Sequence, residues 1–111
     1  MGIYDSKCCI SGLNIPRLLA ASHIIPWSDD KKNRLNPENG LCLNHLHHSA
    51  FDEGYITITA DYKVKISKVF FEFHNQEVIQ KYFKDFEGIK IAMPERYFPN
   101  KEFLEYHVTG K

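Results

Sequence analysis

The chain has 111 residues and a mass of 13.0 kDa, which fits one domain with a small core. Its 14 basic and 14 acidic side chains cancel, so no strong overall field steers it toward nucleic acid or an anionic membrane. No apolar run approaches the ~20 residues that a membrane span needs. The three cysteines make a poor disulfide framework and the N-terminus has no signal-peptide pattern, so we expect a cytoplasmic protein.

The first part of the chain predicts short elements separated by turns. The segment CCISG, residues 8–12, is typical of a short strand closed by a glycine turn, and NIPRLLAA predicts a helix with Asn14 as its N-cap. Residues 22–27, SHIIPW, should be extended because a residue before proline is disfavoured in the helical region. Residues 28–40 are dense in turn formers and predict a surface loop.

The remainder predicts a buried strand, a helix, a hairpin and two more helices. LCL is typical of a short buried strand, and NHLHHSAFDEG predicts a helix capped by Asn44 that ends before Gly54. Alternating apolar and polar residues on either side of residues 60–61 predict a β-hairpin. We expect the last two helices at about residues 76–86 and 100–106.

No linker divides the sequence, and no internal repeat is present. We therefore expect one domain over residues 1–111, with a core at about 8–60 and a helical extension at about 69–111.

Four of the six histidines fall within about a third of the chain. On the predicted central helix, His45, His48 and Asp52 share one face, whereas His47 lies on a neighbouring face. Imidazole and carboxylate groups on one face can hold a divalent ion. His23 comes from a separate extended segment, and a neutral histidine is the usual group for removing a proton from water near neutral pH.

The order of four sequence blocks resembles the HNH nucleases of the ββα-metal class. The relevant branch carries C-x-x-[ST]-G, A-S-H-I-x-P-W, R-L-x-P-x-N-G-L and F-D-x-G. This chain has the same blocks at Cys8 with CISG following it, Ala21–Trp27, Arg34–Leu41 and Phe51–Gly54, and its tail from Met93 to His107 is also similar. The resemblance implies an α+β fold with a ββα-metal (His-Me finger) core, a following β-hairpin and C-terminal helices.

The same resemblance implies an enzyme, a metal-dependent endonuclease that hydrolyses DNA to a 5′ phosphate and a 3′ hydroxyl. It assigns the general base to His23. It assigns to Asn39 the task of holding the loop so that the base points at the substrate. Relatives of this kind occur in bacterial and phage restriction or defence systems.

The resemblance also implies one divalent metal ion held by a histidine of the helix. His48 follows Asn39 by nine positions, the spacing associated with that ligand, and His47 is one residue away, so both are candidates. Ser22 stands where many members carry an aspartate ligand, which leaves Asp52, Asn36 or water as the second ligand. We expect Mg²⁺ or Mn²⁺, with Zn²⁺ and Ni²⁺ as alternatives because the site has few carboxylates.

Basic residues of the loop are the best candidates for contacts with backbone phosphates. They are Lys31, Lys32 and Arg34, with Arg17 extending the patch. Because the net charge is zero, binding to DNA by this domain alone should be weak, so a homodimer, a larger chain or a partner would supply specificity. The competing interpretations are a catalytically inactive DNA-binding module and a structural metal domain with four protein ligands.

Several other polar residues are expected to have structural roles. His74 and His107 are interpreted as hydrogen-bonded histidines outside the site, and Trp27 as a core anchor under the loop. Cys8, Cys9 and Cys42 contain no C-x-x-C pair, so we interpret them as small hydrophobic residues rather than zinc ligands.

Overall fold

The computed structural model describes residues 7–25, 36–72, 77–94 and 96–110. The predicted phosphate contacts of the loop, together with His74 and Trp27, lie outside these residues; the loop contacts are Lys31, Lys32 and Arg34. None of the helices in the described part of the chain is long and apolar enough to cross a membrane.

A two-stranded antiparallel sheet followed by a helix forms the centre of the fold. Strand β1, Leu19–His23, pairs with β2, Gly40–Asn44, so that His23 lies opposite Gly40 at one end of the ribbon. Helix α1, His45–Asp52, follows β2 directly and packs on both strands. This is the ββα arrangement that the sequence predicts.

Local capping fixes where α1 begins and ends. The side chain Oδ1 of Asn44 accepts a hydrogen bond from the backbone N–H of His47 at 2.8 Å, which satisfies one of the unpaired amides of the first turn. Gly54 lies just beyond the helix with a φ of +80°, a conformation that glycine adopts without strain. The predicted cap and stop are both confirmed.

A hairpin and two further helices complete the described chain. Strands β3, Ile56–Ile58, and β4, Val64–Ile66, pair antiparallel as predicted. Helix α2, Glu77–Tyr82, continues into a 3₁₀ turn, and helix α3, Lys101–Gly110, packs against β3.

The core holds α1 between the sheet and α3. Phe51 of α1 is fully buried, and the ring of His107 from α3 stacks on it with 3.8 Å between the ring centroids. The Nε2 of His107 is 2.8 Å from the backbone oxygen of Phe51, to which it donates a hydrogen bond. His107 is therefore the structural histidine that we predict from the sequence, and it ties the C-terminal helix to the helix that carries His48.

Two predicted elements near the N-terminus differ from the structure. Residues 8–12 form a turn rather than a strand, with the N–H of Gly12 bonded to the oxygen of Cys8 at 2.9 Å. The predicted helix in NIPRLLAA is a single 3₁₀ turn, Pro16–Leu18. The chain leaves the helical conformation at Leu19 because pairing with β2 buries this leucine, and tertiary burial overrides local helix propensity.

Candidate active site

His23 occupies the last position of β1, where the two strands of the ribbon end. The backbone just after it is held by Asn39, which is almost fully buried. The Oδ1 of Asn39 accepts from the N–H of Ile25 at 2.8 Å, and its Nδ2 donates to the oxygen of Ile25 at 3.2 Å. The backbone oxygen of Asn39 also accepts from the N–H of Ile24 at 2.9 Å. Three hydrogen bonds thus fix the strand end that presents His23.

The turn that carries Asn39 has its own cap. It is the 3₁₀ turn Pro37–Asn39, and the side chain of Asn36 accepts a hydrogen bond from the N–H of Glu38 at 2.9 Å. Asn36, one of the candidates for a second metal ligand, therefore uses its carboxamide oxygen to stabilise the turn.

The ring of His48 connects α1 to β1. Its Nδ1 is 2.5 Å from the Oγ of Ser22, the buried residue immediately before His23. Its Nε2 is 3.5 Å from the Oδ2 of Asp52, one helical turn further along α1. The side chains of His48 and Asp52 are 29% and 52% exposed, so this edge of the imidazole faces solvent. The structure thus joins the strand that carries the predicted base to the helix that carries a predicted ligand.

His47, the alternative ligand, lies in the core. It is 2% exposed, and its Nε2 donates to the backbone oxygen of Tyr82 at 2.7 Å. Its Nδ1 is 3.2 Å from the side-chain nitrogen of Asn44, and its ring packs edge-on against Phe83 and Phe86. Both ring nitrogens are engaged, so metal binding by His47 would require breaking buried contacts.

The same buried region contains a polarised thiol. Burial by itself would raise the pKa of the Cys8 thiol, but hydrogen bonding with His47, Ser11 and Asn44 lowers this pKa to about 6. Burial instead raises the pKa of Cys9 and of Cys42. Cys9 and Cys42 behave as the small hydrophobic residues that we predict, whereas Cys8 takes part in the hydrogen-bond network around His47.

The donors near His48 fit an open divalent metal site. Among the described residues there is no cluster of three or more His, Cys, Asp or Glu side chains that could enclose an ion. Two atoms that each lie about 2.1 Å from one Zn²⁺ ion at a tetrahedral angle are about 3.4 Å apart. The 3.5 Å between Nε2 of His48 and Oδ2 of Asp52 is close to this separation. One imidazole and one carboxylate would leave positions for water and phosphate oxygens, unlike a structural site with four protein ligands.

Arg17 lies away from His23. It is exposed on the 3₁₀ turn before β1, whereas His23 ends that strand. A five-residue strand spans about 13 Å at about 3.3 Å per residue. Arg17 and the predicted base therefore lie at opposite ends of β1.

Residues 8–59 match the model of a family described as HNH endonuclease. The match covers 52 of the 111 residues and identifies this segment as similar to HNH endonucleases. The matched segment contains β1, β2, α1 and β3, which is the whole of the ββα unit described above. The match agrees with the resemblance to HNH nucleases that the sequence blocks predict.

A comparison of structures agrees with this fold. The chain is similar to the modification-dependent TagI restriction endonuclease with a TM-score of 0.71 and 21% sequence identity, covering 98% of this HNH chain and 34% of that protein. The predicted α+β class is confirmed by this likeness, and the chain spans about a third of the TagI structure. No curated protein matches the chain.

Two features of the structure could not be predicted from the sequence. The contact of Ser22 with His48 is unexpected because serine appears there only as a poor substitute for an aspartate ligand. A cluster of aromatic residues from two separate turns, around Tyr62 and Phe98, is also absent from the sequence-based predictions. Its one signal in the sequence is the run Arg96-Tyr97-Phe98 in a polar segment.

Proposed function

We propose that this HNH domain is a metal-dependent endonuclease that cuts a phosphodiester bond of DNA to leave a 5′ phosphate and a 3′ hydroxyl. The observation that carries the proposal is the contact between Ser22 and His48. Ser22 directly precedes His23, so the contact supports the proposal by joining α1 to the end of the strand that carries the base.

In this proposal His23 is the general base. It accepts a proton from the water that attacks the phosphorus atom. Asn39 is a positioning residue, since its carboxamide binds both backbone groups of Ile25 and holds the end of β1. A base that is held in place in this way loses little freedom when the substrate binds.

His48 and Asp52 hold the divalent ion, and His47 remains in the core. When bound, the ion neutralises the charged phosphate and the leaving oxygen. Ser22 acts on the metal site through His48, because its hydroxyl accepts the Nδ1–H of the ring. That hydrogen bond fixes the tautomer in which the lone pair of Nε2 is directed toward Asp52 and the ion. Mg²⁺ or Mn²⁺ is the expected ion, with Zn²⁺ and Ni²⁺ as alternatives.

DNA is the proposed substrate, and a restriction or defence system in the cytoplasm is the proposed setting. The likeness in fold to a restriction endonuclease supports this setting. Residues 1–111 act as one domain, and Lys31, Lys32 and Arg34 contact phosphates. One such site cuts one strand, so cleavage of a duplex needs a homodimer, a second domain or two successive nicks. The zero net charge supports a partner or a larger chain that adds affinity.

Nicking of supercoiled plasmid tests the proposal. Wild-type protein is incubated with Mg²⁺, Mn²⁺, Ni²⁺ or EDTA, and His23→Ala is compared with His45→Ala, which removes an exposed histidine at the start of α1. We expect metal-stimulated nicking that His23→Ala lowers by about 100-fold or more and that His45→Ala leaves unchanged. Equal rates for wild type and His23→Ala would overturn the assigned base. DNA binding with no nicking in any metal would instead identify an inactive binding module.

A further inference from the structure

An open hollow of about 540 Å³ lies beside the turn that carries Asn39, and none of its residues has a role in the proposed chemistry. Its size is within the range of small-molecule sites. Side chains from three separate parts of the chain line it, namely Glu38, Tyr62, Tyr97, Phe98, Asn100 and Lys101.

Aromatic rings form much of this hollow. Tyr97 and Phe98 are adjacent in sequence and are 48% and 52% exposed. The ring of Phe98 meets that of Tyr62 edge-on, with 6.4 Å between their centroids. Tyr97 has a φ of +58°, a conformation that is uncommon for a bulky residue and is typical of functional positions. Backbone strain and exposed apolar surface therefore occur together at Tyr97 and Phe98.

Hydrogen bonds join the walls of the hollow to one another and to the 3₁₀ turn that carries Asn39. The Tyr62 hydroxyl donates to the backbone oxygen of Pro99 at 3.0 Å. The backbone N–H of Asn100 donates to the oxygen of Glu38 at 2.9 Å, and its side-chain nitrogen lies 3.4 Å from the Glu38 carboxylate. Because Glu38 directly precedes Asn39, a ligand in the hollow would lie next to the residue that positions the base.

Two of the aromatic rings, those of Tyr62 and Tyr97, each have a basic side chain above the ring face. The Nζ of Lys101 is 5.6 Å from the centroid of Tyr62, and the guanidinium carbon of Arg96 is 5.9 Å from that of Tyr97. Such pairs of aromatic rings and cations bind single-stranded nucleic acid, with bases stacked on the rings and phosphates near the positive charges. The Glu38 carboxylate adds a hydrogen-bond acceptor for an exocyclic amino group, as on cytosine.

We propose that this hollow binds one unpaired nucleobase of the DNA substrate, with preference for a base that carries an exocyclic amino group. The inference rests on the proposed function, because the bound nucleotide would lie beside the turn that carries Asn39. Stacking also supplies affinity that a chain of zero net charge does not gain from counterion release.

Binding of labelled DNA by the full chain in EDTA, where no cleavage occurs, tests the inference. Fluorescence anisotropy compares a deoxycytidine oligonucleotide, a thymidine oligonucleotide and a blunt duplex. We expect Phe98→Ala to weaken binding of the deoxycytidine strand by about 5- to 150-fold, the range for loss of one stacked base, with little effect on the duplex. Tyr106→Ala, which removes an equally exposed ring of α3 outside the hollow, should leave every affinity unchanged.

Two further variants define the contact. Phe98→Leu keeps apolar bulk at this position and should lose most of the same affinity if stacking is the cause. Glu38→Gln should abolish the preference for deoxycytidine over thymidine while binding of thymidine is retained. The fold of each variant is checked by its circular dichroism spectrum and unfolding midpoint.

The inference is overturned if wild type does not bind single strands, or if Phe98→Ala binds the single strands as wild type does or weakens duplex binding equally. It is also overturned if Phe98→Ala changes only the sedimentation of the protein, because the hollow would then be a self-association surface. Failure of the nuclease proposal is distinguishable: wild type would show stacking-dependent binding in EDTA yet no nicking with metal.

Discussion

Replacing Asn39 with alanine should lower the free energy of unfolding by about 2–6 kcal/mol, because two buried backbone groups lose their partner at once. The Asn39 side chain accepts from the N–H of Ile25 and donates to its oxygen, and Ile25 itself is only 8% exposed. Each buried group left without a partner costs about 1–3 kcal/mol. For a domain of this size the loss corresponds to a fall in Tm on the order of 10 °C or more.

Asn36→Ala is the matched control for this substitution. Asn36 lies three residues earlier and caps the same turn, but its side chain accepts from an amide at a partly exposed position. Loss of such a cap costs about 1 kcal/mol. Urea unfolding followed by circular dichroism without metal gives both values. Equal losses for the two variants, each below about 1 kcal/mol, would refute the role given to the buried carboxamide.

Asn39→Asp tests separately the two hydrogen bonds that Asn39 makes with the backbone of Ile25. It keeps an acceptor for the N–H of Ile25 but places a carboxylate oxygen where Nδ2 now lies, 3.2 Å from the Ile25 oxygen. Repulsion between these oxygens favours the protonated form, so the pKa of the introduced carboxyl should be raised in the folded protein. The variant should therefore recover stability relative to wild type as the pH falls through that raised pKa, and nicking at neutral pH should be slower than in wild type.

His47 and His48 are adjacent on α1 but have different expected roles. His47→Ala should lower the free energy of unfolding by about 2–4 kcal/mol, whereas His48→Ala, which removes the partner of the buried Ser22 hydroxyl, should cost about 1–2 kcal/mol and abolish metal binding measured by calorimetry; loss of metal binding confined to His47→Ala would contradict the assignment. Ser22→Ala should weaken metal binding about 10- to 100-fold, and unchanged calorimetric affinity would exclude its orienting role. Because the pKa of Cys8 is lowered from 9.0 to about 6, the stability that its thiolate contributes should be complete above pH 9 and disappear as the pH falls through 6. Urea unfolding of wild type and Cys8→Ala at several pH values checks this, and a stability difference that does not change with pH would contradict it.

The ββα unit could be predicted because several local signals agree there. An apolar run gives β2, Asn44 provides a cap at the right place, and Gly54 provides a stop. Near the N-terminus the signals conflict. A helical pattern continues through Leu19, yet this residue gains more from burial in the sheet than from helix formation. The local sequence pattern gave the wrong prediction for Leu19 because its partner strand, β2, lies more than 20 residues further along the sequence.

The choice between His47 and His48 could not be made from spacing. Adjacent residues of a helix point in directions about 100° apart, so both can follow Asn39 at a suitable distance in sequence. The contacts that favour His48 over His47 come from α2 and the turn after it, where the Tyr82 oxygen and the rings of Phe83 and Phe86 surround His47. Those residues lie about 35 positions away in sequence, and nothing near His47 itself indicates them.

In the proposed metal site, Ser22 stands where an aspartate ligand is expected. An aspartate at this position would contribute a negative charge to the ion directly, whereas the serine hydroxyl contributes a hydrogen bond to the ring of His48. The charge that remains for the ion comes from Asp52, which reaches the other ring nitrogen from one turn along α1. The imidazole is then fixed between a buried hydroxyl on its strand side and an exposed carboxylate on its solvent side. Since a metal-bound histidine needs one ring nitrogen for the ion and the other for an orienting acceptor, this order of contacts leaves Nε2, rather than Nδ1, for the ion in the proposed site.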